Sequence, residues 1–236
     1  MVSPPTFHPD LGASHQRIHS DEWEEIYVVG DVHGCRPTLE RLLNRLDPAA
    51  DELVVFVGDL VRKGPDSAGV VDIVRQTPNF ITVRGNNEQK LIDGHKSIPS
   101  LTDDDLSWIA SLPAAISWDD SLVVHGGVDH RKPIAEHELP ELLNMRSLTP
   151  NGSYDRPYWF ETRRDDPRIF FGHTVLSEPF ETPTAVGLDT GCVYGGQLTA
   201  YQCSTAEFIT VDPETTHEER SSDSIVDPER APPTST

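Results

Sequence analysis

Five short blocks along the chain each join glycine to a side chain that can hold a metal. They are Gly30-Asp31-Val32-His33-Gly34, Gly58-Asp59, Gly85-Asn86-Asn87-Glu88, His125-Gly126-Gly127 and Gly172-His173-Thr174. Together they offer Asp31, His33, Asp59, Asn86, His125 and His173, a mixed oxygen and nitrogen donor set suited to borderline divalent ions. Two such ions about 3.5–4 Å apart can share a hydroxide, which attacks a phosphoryl group while the metals clamp its oxygens. Asp59 has two carboxylate oxygens and can bridge two ions. Asp31 and His33 are two residues apart, so a loop must turn both toward one ion. A single Gly-Asp or His-Gly-Gly is an ordinary turn. Five such blocks in order point to a two-metal hydrolase.

The elements that must position these blocks are legible as well. The runs 26–29, 53–57, 81–83, 122–124 and 169–171 are short, apolar and bounded by glycine, the pattern of buried strands. Strand ends are where an open α/β sheet presents its ligand-binding groups. Between them, Leu39, Leu42, Leu43 and Leu46 follow Pro37 at helical spacing, as do Val70, Val71 and Val74 within 67–75. A capping Thr102 and an acidic first turn open a helix over 102–112. Later strands, 184–188 and 198–201, lie closer together. Early βα units followed by β segments predict two sheets packed face to face with helices outside.

Composition bounds the setting. At 236 residues the chain can bury a proper core. Its polar, proline-containing start (1–24) and its Pro-, Ser- and Thr-rich acidic end (212–236) are expected to be flexible, leaving a domain over 25–211. His8, His15, His19 and His217, which lie in those ends, are expected to be solvated. No apolar run approaches the roughly 20 residues of a membrane helix, and no targeting segment is visible. Cys35, Cys192 and Cys203 read as small buried or half-buried thiols, consistent with a reducing cytoplasm. The net charge is -20 and lysine is scarce, a surface like that of proteins from salt-accumulating halophiles. Such a surface disfavours nucleic-acid duplexes, whose phosphates need clustered Lys and Arg.

The order GDVHG, GDLVRKGPDS, RGNNE, VHGG and FGHT resembles the calcineurin-like metallophosphoesterases of the phosphoprotein-phosphatase type, over about residues 25–203. Asn144-Met145-Arg146-Ser147, Pro150-Asn151-Gly152 and the glycine-rich run 187–199 narrow the likeness. They are similar to the symmetrical diadenosine tetraphosphatases and their ApaH-like relatives. The resemblance implies a four-layer αββα sandwich. It also implies a first metal on Asp31, His33 and Asp59 and a second on Asp59, Asn86, His125 and His173. Manganese is the metal most often implied, with iron or zinc as alternatives.

Two departures from that pattern matter. The family's third block usually carries His where Asn87 stands, and that His protonates the leaving group. Its orienting Asp is replaced by Arg62, and the phosphate-binding Arg after it by Lys63. Asn87 cannot titrate near neutrality. General acid catalysis contributes about 10²–10⁴-fold, and a phosphoanhydride, whose leaving group is already a stable anion, needs it least. Asp59, Asn87 and Arg62 are therefore the candidate catalytic residues. Lys63, Asn86 and Arg146 are the candidates for holding phosphate, with Arg62 either joining them or lying solvated at the surface.

The expected activity is dinuclear, metal-dependent hydrolysis of a phosphoanhydride such as a dinucleoside polyphosphate or polyphosphate. A serine/threonine protein phosphatase acting on a phosphoprotein, and a metal-binding regulatory protein, are the alternatives. His95 and His130 could supply a substitute proton, although loop or surface positions suit them better. His137 has a weaker claim. Trp108, Trp118 and Tyr158-Trp159-Phe160 could stack on an adenine, with packing the stronger expectation. Asp189 and Tyr194 fit a structural turn or a substrate contact equally well.

Overall fold

The computed structural model describes residues 7, 14–149 and 153–229, so His8 and Pro150-Asn151-Gly152 lie outside the described residues. Strands β1 (His15–Arg17), β2 (Glu25–Val29), β3 (Glu52–Phe56), β4 (Phe80–Thr82), β5 (Ala115–Trp118) and β6 (Ser121–Val124) form the first part of the chain. They are followed by β7 (Arg168–Phe171), β8 (Phe180–Thr182), β9 (Ala185–Gly187), β10 (Leu198–Gln202) and β11 (Glu207–Val211). The helices are α1 (Arg36–Leu46), α2 (Ser67–Gln76), α3 (Asn86–Ile92), α4 (Asp103–Ser111), α5 (Leu139–Asn144) and α6 (Trp159–Thr162). Pro37 falls in the first turn of α1, and the Thr102 side chain accepts from the Asp105 N–H at the start of α4.

Two sheets result. One has the order β11-β10-β2-β3-β4 and the other β1-β5-β6-β7-β9-β8. Alternation along the strands divides the core into three layers. Ile26, Val28, Leu53 and Val55 point to the partner sheet, where they meet Ile116, Val123, Phe170 and Val186. Tyr27, Val29, Val54 and Phe56 face the other way, onto Leu39 and Leu42 of α1 and Val70 and Val74 of α2. On the far side Leu122, Val124, Ile169 and Phe171 pack against Leu142, Trp159 and Phe160. Each strand is apolar on both faces because each lies between a sheet and a helix layer. The αββα sandwich therefore stands.

The central strands β2, β3 and β4 are parallel, with Val29 opposite Phe56 and Phe56 opposite Thr82. In the other sheet β6, β7 and β9 are parallel, with Phe171 opposite Gly187. Flush C-terminal ends place six connecting loops along one edge of the sandwich.

The ordered unit extends past the expected 25–211 boundaries at both ends. His15–Arg17 pairs in parallel with β5, the His15 Nε2 lies 2.8 Å from Ser117 Oγ, and Phe7 is buried against the His15 ring. His15 is thus half-buried in structure rather than solvated, whereas His19 is exposed. After Val211 the chain runs back over the domain and bridges Val226 to Leu176. Val226 is 4% exposed. Both segments are polar on average, and a few anchoring apolar residues hold them, so composition alone did not reveal them.

Candidate metal centre

Each candidate ligand sits just past a parallel strand. Asp31 follows β2, Asp59 follows β3, Asn86 opens α3 beyond β4, His125 follows β6 and His173 follows β7. The chain must turn sharply to aim these side chains inward. His33 (φ 52°), Asp59 (φ 52°) and His173 (φ 64°) are left-handed, as are Arg62 (φ 73°) and Lys63 (φ 71°). For a non-glycine residue this costs of order 1 kcal/mol or more, and such outliers collect at functional sites. Two glycines make the close approach feasible. A Cβ on Gly85 would stand 2.2 Å from Asp59 Oδ1, and one on Gly172 would stand 1.9 Å from Asp31 Oδ1.

The side chains converge. Donor atoms of Asp31, Asp59 and His125 all lie within 4.8 Å of one another, and all three residues are buried. His33 Nε2 is 3.8 Å from Asp31 Oδ2 and 3.6 Å from Asp59 Oδ2. His125 Nε2 is 3.4 Å from Asp59 Oδ1 and 3.2 Å from Asn86 Oδ1. The rings are oriented from behind: His125 Nδ1 donates to Val57 O at 2.8 Å and His33 Nδ1 to Val61 O at 3.3 Å, so both Nε2 atoms face the carboxylates. His173 packs edge-on to His125, and its buried Nε2 has no hydrogen-bond partner among the described residues. Buried carboxylates this close repel one another, and an imidazole nitrogen is left unpartnered. Both features fit divalent cations.

Electrostatics agree with a centre built for cations. Burial opposes charge on Asp59, but His125, His33 and Lys63 outweigh it and hold the carboxyl well below its ordinary range. Burial, reinforced by Asp189, pushes Asp31 the other way. Burial also disfavours protonated His125, yet Asp59 and Asp31 lift it to about 9, whereas burial drives His33 down to about 3.

One organising residue was not singled out from the sequence. Glu88 is 0% exposed and its carboxylate accepts from Gly85 N at 2.8 Å, Asp59 N at 2.9 Å and Val61 N at 3.2 Å. It fastens the second block to the third, and burial beside Asp59 pushes it up to about 7. Half of a signal was present: a Glu three residues past the N-cap can accept from the N-cap N–H as in a capping box, although Gly85 has no side chain to complete it.

Above the buried ligands opens a cavity of about 330 Å³ whose walls include His33, Asp59, Asn86, Asn87 and His173. Arg62, Lys63, Lys90, Arg146 and Arg220 bring positive charge to it. Arg62 is only half-exposed and donates to the Asn87 side-chain oxygen, so it belongs to the site rather than to open solvent. Lys63 Nζ lies 2.9 Å from His33 Nε2, and Arg146 Nη2 lies 3.5 Å from His173 Nδ1. Asp189 and Tyr194 also line the cavity. A larger groove of about 610 Å³ opens on the other side of Arg146, against Met145, Leu148 and Pro140, with Asn144 and Thr149 beside them.

The other candidates fall elsewhere. His95 is exposed, and His137 is buried in its own loop, where its Nε2 accepts from Asp129 N at 2.8 Å. His130 lines a separate surface hollow with Arg163 and Asp165. Trp118 stacks on Phe170, and Tyr158 on Phe160, so these rings serve the core. Cys35 and Cys192 are buried free thiols and Cys203 is half-buried.

A four-layer sandwich carrying acidic and imidazole ligands at the strand ends of both sheets defines a metal-dependent hydrolase. The chain belongs to the calcineurin-like phosphoesterase family, whose model matches residues 25–200. Among its relatives, serine/threonine-protein phosphatase 1 of Salmonella typhimurium is 31% identical over 214 residues, covering 78% of this chain and 94% of that protein. An asymmetrical bis(5'-nucleosyl)-tetraphosphatase of Oceanobacillus iheyensis is 28% identical over 79% of this chain and 92% of its own length. A solved structure described as a candidate diadenosine tetraphosphatase superposes with a TM-score of 0.76 at 30% identity, covering 85% of this chain and 98% of that one.

Proposed function

We propose that the protein hydrolyses a phosphoanhydride, with a dinucleoside polyphosphate as the favoured substrate, using two divalent metal ions. Asp31, His33 and Asp59 would hold one ion and Asp59, Asn86, His125 and His173 the other, with manganese the metal that we favour. When bound, the pair supplies Lewis acidity toward phosphoryl oxygens and an activated water. The chain's own residues do the rest. Lys63, Arg62 and Arg146 neutralise the phosphoryl oxygens, Asn86 donates its amide hydrogens to them, Asn87 orients the Asp59 carboxylate, and Glu88 keeps the two ligand loops in register.

The single observation that carries this reading is position 87. Asn87 is 2% exposed and its side chain is held between Asp59 and Arg62, so no titratable group stands where the family's proton donor would be. A phosphate monoester of serine needs that proton, and an anhydride departs without it. Five cations facing one small cavity in a chain of net charge -20 favour a polyanion further. The groove beside Arg146 offers apolar surface for a nucleoside.

The identity to the Salmonella protein phosphatase favours a second reading, a protein phosphatase acting on a phosphoprotein. Turnover of diadenosine tetraphosphate under manganese titration, beside an Asp59→Asn variant, tests the proposal. Complete lack of metal-dependent turnover on any phosphate substrate would instead favour a metal-binding regulatory protein. We further read the acidic surface as halophilic and the free thiols as cytoplasmic. No helix among the described residues is long and apolar enough to cross a membrane.

A further inference from the structure

Arg220 lies beyond the family match, in the segment that runs back over the domain after β11. Residues 214–219 are exposed, yet Arg220 is half-buried and lines the cavity above the candidate metal ligands. The segment is fastened on both sides of it. His217 N donates to Val193 O at 3.0 Å, Val226 N to Val175 O at 2.8 Å, and Ser177 N to Val226 O at 2.9 Å.

The guanidinium is held by neutral partners. Nε donates to Ser224 O at 3.0 Å and Nη2 to Tyr154 OH at 2.5 Å, while Nη1 has no hydrogen-bond partner among the described residues. Its Cζ stands 4.7 Å over the Tyr194 ring and 5.8 Å over the Tyr154 ring. The same two rings carry the neighbouring cations, with Lys63 Nζ 5.2 Å over Tyr194 and Arg146 Cζ 4.9 Å over Tyr154. The order Lys63, Tyr194, Arg220, Tyr154, Arg146 therefore forms an arc along the cavity wall. The shared aromatic rings steady the cations without cancelling their charge.

That charge acts at a distance on Asp59 and Asp189, which line the same cavity, but is not locked in direct ion pairs. Arg36, Arg41, Arg75, Arg131, Arg156 and Arg168 are each ion-paired to a carboxylate. Among the described residues no carboxylate comes within the 4.0 Å ion-pair distance of Arg220, Arg62, Lys63, Lys90 or Arg146. A fixed guanidinium with a free donor edge, facing a cavity, is suited to phosphate. Lys63 Nζ lies 2.9 Å from the candidate ligand His33, whereas Arg220 touches no candidate ligand among the described residues and meets Lys63 only through the Tyr194 ring they share.

We propose that Arg220, set by Tyr154 and Tyr194, forms a second phosphate subsite that takes a phosphate beyond the one held against the metal ligands, making the C-terminal segment part of the substrate site. This rests on the phosphoanhydride reading above and sharpens it: the site selects ligands with at least two consecutive phosphates.

The test is calorimetric binding of ADP and AMP to the manganese-loaded full chain, since these differ by one phosphate. Arg220→Ala should weaken ADP about tenfold and AMP less than about threefold, with Arg220→Lys intermediate because a lysine keeps the charge but not the fork. Tyr154→Phe, which removes only the hydroxyl partner, should weaken ADP more than AMP and guards against misfolding of the alanine variant. Equal weakening of both nucleotides, no change for ADP, or no ADP binding by the unaltered protein would each overturn the subsite. If the unaltered protein binds ADP better than AMP but does not hydrolyse diadenosine tetraphosphate, the substrate reading fails and the subsite stands.

Discussion

Asn87 is bound to Asp59 twice: its backbone N–H donates to Oδ1 at 2.8 Å and its side-chain amide donates to Oδ2. Its remaining oxygen accepts from Arg62. The residue standing at the usual proton-donor position is thus spent on orienting the central carboxylate. Arg62 replaces the carboxylate that would orient an imidazole there and instead orients an amide. The two exchanges form one hydrogen-bonded unit, which explains why they occur together.

Rates on a series of aryl phosphates should therefore fall steeply as the leaving group becomes more basic. A double Asn87→His, Arg62→Asp variant rebuilds the donor and its partner. It should flatten that dependence and raise turnover of the most basic leaving group by about tenfold or more, part of the 10²–10⁴ that general acids contribute. An unchanged slope would show that the donor's absence does not shape substrate choice.

Asp59 lies between both halves of the candidate centre, 3.6 Å from His33 and 3.4 Å from His125. Asp59→Asn should lose at least about 10³-fold in kcat/KM, since metal Lewis acidity is worth several kcal/mol. Metal content by atomic emission should fall with it. Chelation of the unaltered protein should abolish turnover reversibly.

Gly172→Ala tests the close approach to Asp31. The new methyl would stand 1.9 Å from Asp31 Oδ1, so the carboxylate must move. Manganese affinity should weaken by more than about tenfold, and overpacking of about 1–3 kcal/mol should lower Tm by several degrees. Retained affinity with a lowered Tm would place the strain away from the ligand.

Metal-free protein should lose stability as pH rises from about 6.5 to 9. His125 is raised to about 9 when folded because Asp59 and Asp31 outweigh its burial, so the folded state holds a proton that the unfolded state has released. Its contribution is complete below the unfolded value of 6.5 and is lost as pH rises through about 9. Glu88, raised to about 7 by burial and Asp59, acts in the same direction between about pH 4.5 and 7. His33, lowered to about 3 by burial, acts oppositely below 6.5. Thermal melts of chelated protein at pH 7 and 9 measure this. His125→Gln should flatten the difference.

Much of this was legible in the sequence for a definite reason. Buried parallel strands flanked on both faces are continuous apolar runs, so Leu53-Val54-Val55-Phe56 and Ile169-Phe170-Phe171 are visible without any tertiary information. The ligand at each strand end is fixed by the glycine beside it. By contrast β1 and β11 are edge strands of mixed polarity, and α5 and α6 are too short to show a period. Arg220 and Glu88 were missed because their meaning lies in partners far along the chain or in hydrogen bonds to backbone. The tail's average polarity hid Val226, whose packing fastens the segment carrying Arg220.

The account is tested most directly by comparing kcat/KM of the manganese-loaded protein for diadenosine tetraphosphate and for a phosphoserine peptide. With Asn87 in place of a proton donor, the anhydride should be preferred by at least about 10²-fold, the lower bound of a missing general acid. Faster dephosphorylation of the peptide would contradict it.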